Sequence, residues 1–246
     1  MKNLFTLLLL AVTALTFAQE STLLRLNYKT GENYVMLMNM KQNMGNGNMT
    51  MNMTMEMPMK VISVKDGIYS AEMSFKSIKM DMEQAGNKIN YDSNIKETNL
   101  DETAKMMSSQ MQPILETVLL TKTNMYGEVL EMKMIKGSGN VNQFTSQTES
   151  VVYPKEAVTV GYSWVSEKDN NGMKIKNTYT VKSIDNKVVV LNLSGDITGM
   201  SKGNLSGSMN IDRASGVPML STVNMNIEVM GQKLDTEMVM TMKKTE

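Results

Sequence analysis

The sequence predicts a mainly β fold: a long-stranded, curved antiparallel sheet, half-barrel or sandwich-like, with one central amphipathic helix. Three observations carry that expectation. Apolar residues recur at every second position over long stretches, as in MTMNMTMEMPMK, where Met occupies each odd position from 49 to 59. Period two is the signature of a strand with one face covered. Gly, Asn and Asp clusters punctuate these stretches, and one segment near the middle switches to steps of three and four.

The chain opens MKNLFTLLLLAVTALTFAQE. Lys2, an apolar run from Leu4 to Leu15 and the small-residue exit at Ala18 predict a secretory leader over residues 1–18, followed by one β-rich domain over 19–246. The apolar run is too short for a confident membrane span, and no later stretch approaches the ~18 apolar residues a span requires. A periplasmic or secreted location in a Gram-negative bacterium is therefore expected. The absence of Cys excludes a lipidated cysteine, a disulfide framework and a thiol catalyst. The 228 residues after the leader are enough to bury a core without such staples.

Tyr34, Met36, Met38 and Met40 share one parity and begin the first long strand. KQNMGNGN supplies the Asn and Gly that a reversal needs, which places a hairpin at Gly45 to Asn48 before the Met49 to Met59 stripe. Pro58 marks an edge, a bulge or a strand end. A further strand is expected at Val61 to Val64, turned by Lys65-Asp66-Gly67 into Ile68 to Phe75. The parity then changes between Phe75 and Ile78, so a bulge is expected at Lys76-Ser77.

Ala104, Met107, Met111, Ile114 and Val118 follow the helical period, with Asn99 and Glu102 as a capping pair and an end near Gln112, ahead of Pro113. A hairpin through Met125-Tyr126-Gly127 returns to VLEMKMI, and KGSGNVNQFTSQTES reads as a loop. Trp164 is read as a core anchor. Leu205, Met209 and Ile211 form another stripe, closed by a turn at Gly216. Met219 to Val229 and Leu234 to Met242 form two long strands joined at Gly231. Runs of this length exceed the usual five or six residues and suggest a tall, curved sheet. GENYV at 31–35 and GYSWV at 161–165 give two weakly similar lobes, about 24–97 and 151–243, joined by 98–150.

Composition restricts the chemistry. Basic and acidic residues number 25 each, and Lys2 leaves with the leader, so no field favours nucleic acid. Only Arg25 and Arg213 are arginines. There is no histidine, no Ser-centred elbow and no phosphate-cradling glycine loop, so no enzymatic activity and no cofactor are expected. Asp66, Asp185 and Asp212 fall at turns, where they bond local backbone. Asp81 and Glu83 read as a solvated strand face.

The 29 methionines, against four Phe and one Trp, are the unusual feature. Met is flexible and specifies a tight core poorly, but suits a surface that adapts to apolar partners. The expected function is binding of a hydrophobic ligand, a lipid or acyl chain, in a cavity or groove lined by Met36, Met38, Met51, Met53, Met55, Met57, Met225, Met238 and Met240. The alternatives are an interaction module with a packed core, a thioether Cu(I) site and an outer-membrane barrel. Alternate positions on a strand lie about 6.6 to 6.8 Å apart, too far for one ion to collect neighbours from a single strand.

YPKEAVTVGYSW from Tyr153, KTGENY from Lys29 and NIDRASGVPMLS from Asn210 resemble an uncharacterised family of exported, β-rich, Met-rich proteins from Bacteroidota-like bacteria. The resemblance implies a fold over about residues 24–243, with no chemistry attached. In style the chain is also similar to periplasmic lipoprotein carriers, whose half-open barrel holds acyl chains, although no carrier motif matches residue by residue.

Overall fold

The structure, a computed structural model, describes residues 20–45, 47–138, 151–170, 172–229 and 231–245. The expected leader and most of the polar loop after Lys136 lie outside the described residues.

The first half contains β1 (Ser21–Thr22), β2 (Asn33–Met44), β3 (Met49–Lys65), β4 (Ile68–Ser74), β5 (Ser77–Gln84) and β6 (Asn87–Asp92). Helix α1 (Glu102–Leu115) and the hairpin β7 (Val118–Asn124) and β8 (Val129–Lys136) follow. The second half is a meander: β9 (Val158–Thr159), β10 (Ser163–Asn170), β11 (Met173–Ile184), β12 (Val188–Gly199), β13 (Lys202–Asp212), β14 (Pro218–Val229) and β15 (Gln232–Thr245). Thirteen of these strands form one antiparallel sheet, and β1 pairs with β9 in a separate ribbon. The large sheet runs β10-β11-β12-β13-β14-β15-β2-β3 and then divides into β4-β7-β8 and β5-β6. The sheet is curved but does not close into a barrel. Pairing of β15 with β2, from Leu234 opposite Met44 to Thr245 opposite Asn33, joins the two halves.

The division originates in β3, where the stripe at 49–59 and the strand at 61–64 are one 17-residue element. Its first part pairs with β5 and its second with β4, between Glu56↔Ser77 and Met59↔Met73. Two residues of β3 there face three of the neighbouring chain, so one is extra. This is the bulge the parity change demands, placed at Phe75-Lys76, where the Lys76 amide donates to the Glu56 carbonyl at 2.8 Å. Pro58 sits opposite it. The Val61 amide donates toward β2, to Glu32 at 2.9 Å, so alternation aims the Pro58 nitrogen at the bulge. A missing N–H is tolerated at such an interruption of the ladder.

Helix α1 differs from the expectation at both ends. Its cap is Asp101, whose Oδ1 accepts from the Ala104 amide at 2.8 Å, while Asn99 belongs to the preceding 3-10 turn Glu97–Asn99. The helix passes through Pro113 to Leu115. Proline forfeits one bond to the preceding turn, but the end is closed by other donors. Glu116 N bonds Gln112 O at 3.0 Å, Thr117 N bonds Ile114 O at 3.0 Å, and Thr117 Oγ1 bonds Pro113 O at 2.7 Å. Val118, expected on the helix face, begins β7.

Two apolar clusters occupy the concave side. One is aliphatic and aromatic, built on Val181, Val189, Leu191, Ile197, Ile211 and Tyr179 of the meander. Trp164 anchors its margin: its ring stacks on Tyr179 with centroids 5.4 Å apart, and its Nε1 donates to Val152 O at 2.8 Å. The other is rich in sulfur, built on Met38, Met55, Met57, Met73, Phe75 and Ile78, with Met107, Met111 and Ile114 of α1 packed on it. Asp185 and Asp212 cap turns as expected: Asp185 Oδ1 accepts from the Lys187 and Val188 amides, and Asp212 Oδ1 from the Ser215 amide and hydroxyl.

Replacing Asp101 by Ala removes the α1 cap and is expected to lower stability by about 1 kcal/mol in urea unfolding. An unchanged midpoint would show that the helix is held by its apolar face alone.

Candidate functional site

Strand register assembles the methionines into cross-strand rows. Met242, Met36 and Met57 form one; Met240, Met38 and Met55 the next; Met238, Met40, Met53 and Met80 the third. Neighbours across strands are ~4.8 Å apart and successive rows ~6.7 Å apart, so the side chains stand side by side as a carpet. Among the described residues no group of three or more His, Cys, Asp or Glu is placed to hold a metal ion.

Over this carpet lies a cavity of about 420 Å³. Its floor is Met36, Met38, Met51, Met53, Met55, Met57 and Met59 of β2 and β3, its walls include Tyr69, Ala71 and Met73 of β4 and Ser221, Met240 and Met242 of β14 and β15, and Met111 and Ile114 of α1 cover it. Leu26, Tyr28, Val151 and Tyr153, from segments between strands, also line it. Among the described residues no Asp, Glu, Lys or Arg lines it.

The segment carrying Leu26 and Tyr28 is pinned from several sides. The Leu26 amide donates to Met125 O and the Asn27 amide to Ser215 O, both at 2.8 Å. The Arg25 guanidinium donates to Pro154 O at 2.7 Å and to Lys155 O at 2.5 Å, and lies 4.4 Å from the Tyr126 ring centre. Gly216, at φ +67°, comes so close that an added Cβ would lie 1.9 Å from the Arg25 carbonyl oxygen. One of the two arginines is thus a structural clamp. The other, Arg213, pairs with Glu20 and donates to Asp185 O at 2.9 Å.

A set of tyrosines gathers at this side. Tyr28 meets Tyr34 and Tyr69 edge-on, at centroid distances of 5.3 and 5.5 Å. Tyr69 Oη donates to Leu26 O at 2.6 Å, Tyr153 Oη to Gly216 O at 2.7 Å, and Tyr34 Oη to Glu32 Oε2 at 2.9 Å. Burial raises all four phenols above their ordinary value, with the Glu32 carboxylate adding to the shift of Tyr28 and Tyr34. Partial burial pushes Glu32 itself up, but hydrogen bonds from Lys244, the Lys29 amide and Tyr34 outweigh it and hold the carboxyl below its ordinary range.

The burial of the methionines separates lining from core. Met38, Met55, Met57, Met73, Met80, Met209 and Met242 are buried, at 3% to 8% exposure. The large side chains below 2% exposure are Val, Ile, Leu and Tyr, with no methionine. The innermost packing is done by shape-stable residues, while sulfur faces the hollow.

Of the nine methionines singled out by sequence, Met36, Met38, Met51, Met53, Met55, Met57 and Met240 line the cavity. Met225 packs on the aliphatic cluster and Met238 on the sulfur-rich one. Sequence reasoning passed over Met59, Met73 and Met242, whose parity was available, and Tyr28 and Tyr153, whose irregular segments carry no period. Asp81 and Glu83 are exposed.

Three comparisons place this geometry. A family of unknown function (DUF6263) matches residues 131–233. A search of curated proteins finds no match. Among solved structures, one describing lipid-protein interactions in lipovitellin is similar, with a TM-score of 0.57, 8% identity and 89% of this chain covered. This chain spans 26% of the length of that one, and the likeness is one of fold. No helix among the described residues is long and apolar enough to cross a membrane.

A raised folded-state value means the unfolded chain loses the phenolic proton first. The contribution of Tyr28 to stability is therefore intact below its ordinary 10.0 and declines as pH rises past it. In alkaline difference spectroscopy, Tyr28→Phe is expected to leave the phenolate signal developed up to pH 10.0 unchanged. A smaller early signal in the variant would contradict the buried environment.

Proposed function

We propose that this is an exported, non-enzymatic protein that binds one hydrophobic molecule, a lipid or acyl chain, in the thioether-lined cavity. The observation that carries the reading is the cavity itself. The hollow is partly open and its lining is almost wholly apolar, a surface that gains by exchanging water for an apolar guest. The volume falls within the ~300 to 1,000 Å³ typical of small-molecule sites.

Binding would transfer apolar surface from water to the methionine carpet, whose rotatable side chains adjust to different chain shapes. Helix α1, packed on the sulfur-rich cluster through Met107, Met111 and Ile114, serves as the cover. The lipovitellin likeness supports a lipid reading by fold analogy.

Protein stripped of bound lipid is expected to take up one equivalent of a fluorescent fatty-acyl probe with saturation at micromolar levels. Ser221 is the small residue between Met209 and Met240 in the register, so Ser221→Met grows a side chain into the hollow. That variant should bind the probe at least about tenfold more weakly while keeping or raising the melting temperature. No saturable binding, or equal affinity in the two proteins, would contradict the assignment.

A further inference from the structure

Two features of the cavity wall bear on which lipid it could take: the charges it lacks and the unpartnered hydroxyl of Tyr28. Among the described residues its lining carries no ionised side chain. An anionic head group drawn inside would lose its hydration without a cationic partner, a cost that normally forces such a group to stay in water or take up a proton. The two arginines are engaged elsewhere, Arg25 on carbonyls of residues 24, 154 and 155 and Arg213 on Glu20 and Asp185. The hollow is therefore built for uncharged matter.

Four tyrosines crowd one side of it, and three of their hydroxyls are spent. Tyr34 gives its proton to Glu32, Tyr69 to the Leu26 carbonyl and Tyr153 to the Gly216 carbonyl. Tyr28 differs. It lines the cavity and its ring is held edge-on by Tyr34 and Tyr69, yet its hydroxyl has no hydrogen-bond partner among the described residues. Tyr28 is half-buried, so its hydroxyl is open to a guest instead of being sealed in the core. The backbone behind it is fixed by the Leu26 and Asn27 amides, so its position is preset. Thr123, Ser221 and Thr241 also line the cavity with no hydroxyl partner among the described residues, but Ser221 stands amid the methionine rows, Thr241 pairs with Leu37 on the other parity from Met240 and Met242, and Thr123, opposite Tyr69, carries no aromatic ring to orient a head group.

Building on the binding role proposed above, we infer that the ligand is an uncharged amphiphile: a long chain that lies on the thioethers, with a single hydroxyl or ester oxygen that accepts the Tyr28 hydrogen bond. The nearby Glu32 carboxylate works in the same direction, because its negative charge disfavours a second anion beside Tyr28.

Competition against a bound fluorescent acyl probe tests this with three chains of equal length: hexadecane, 1-hexadecanol and palmitate, the last at a pH well above its own pKa. In the unmodified protein the alcohol is expected to displace the probe at about three- to tenfold lower concentration than the alkane, the range of one net hydrogen bond. Palmitate should be weaker than the alcohol and should recover as the pH is lowered through its pKa. Tyr28→Phe should bring the alcohol-to-alkane ratio to about one while the alkane affinity stays put, which also shows that the variant is folded. Ser221→Ala should preserve the ratio. A ratio untouched by Tyr28→Phe, or palmitate anion binding as tightly as the alcohol, overturns this inference and leaves the binding role standing. Failure of the probe to bind the unmodified protein removes both.

Discussion

A wide antiparallel sheet that curves without closing must cover its concave face, and everything else in this structure follows from how unevenly that is done. Over the meander half the face fills itself: Val, Ile and Leu from β11 to β14 interdigitate until several are fully buried. Over β2, β3 and β15 the face is closed only in part, by Met111 and Ile114 of the helix that packs beside β5 and β6 and by a short pinned segment, and a hollow of about 420 Å³ is left. Residue choice matches the two tasks. Branched side chains are stiff and lock a shape, whereas Met has three rotatable bonds and a polarisable sulfur and adapts to one.

The fork at β3 divides the first half of the sheet into two branches. The extra residue at Phe75-Lys76, accommodated by the donor missing at Pro58, lets β4 continue to β7 and β8 while β5 leads to β6, beside which α1 packs. A bulge increases local twist, so the two branches diverge from β3. A proline that looks misplaced in the middle of a 17-residue strand is thus the element that permits the division.

Much of this architecture was legible because strand parity is a direct projection of one-sided burial. The Met36 to Met40 and Met49 to Met59 stripes, the turns at Gly45 to Asn48 and Asp66-Gly67, and the need for a bulge near residue 76 all read straight from spacing. The helix ends were misread for local reasons: Asp101 outcompetes Asn99 as the cap, and tertiary packing of Met111 and Ile114 carries the helix through Pro113. Parity gave the correct face for Met225 and Met238 but not their distance from the hollow, which depends on sheet curvature. Tyr28 and Tyr153 were invisible because their segments are irregular, and their positions are set by hydrogen bonds to the carbonyls of residues 125, 126, 215 and 216.

The likeness to lipovitellin over 89% of the chain is one of fold, and the match over 131–233 is to a family of unknown function. The central claim is that the sulfur-lined hollow is a place for a guest. Native mass spectrometry of gently purified protein examines this most directly. The account predicts a single apolar adduct that is lost on organic extraction, with the stripped chain melting at a lower temperature. A bare chain of unchanged melting temperature before and after extraction would contradict it.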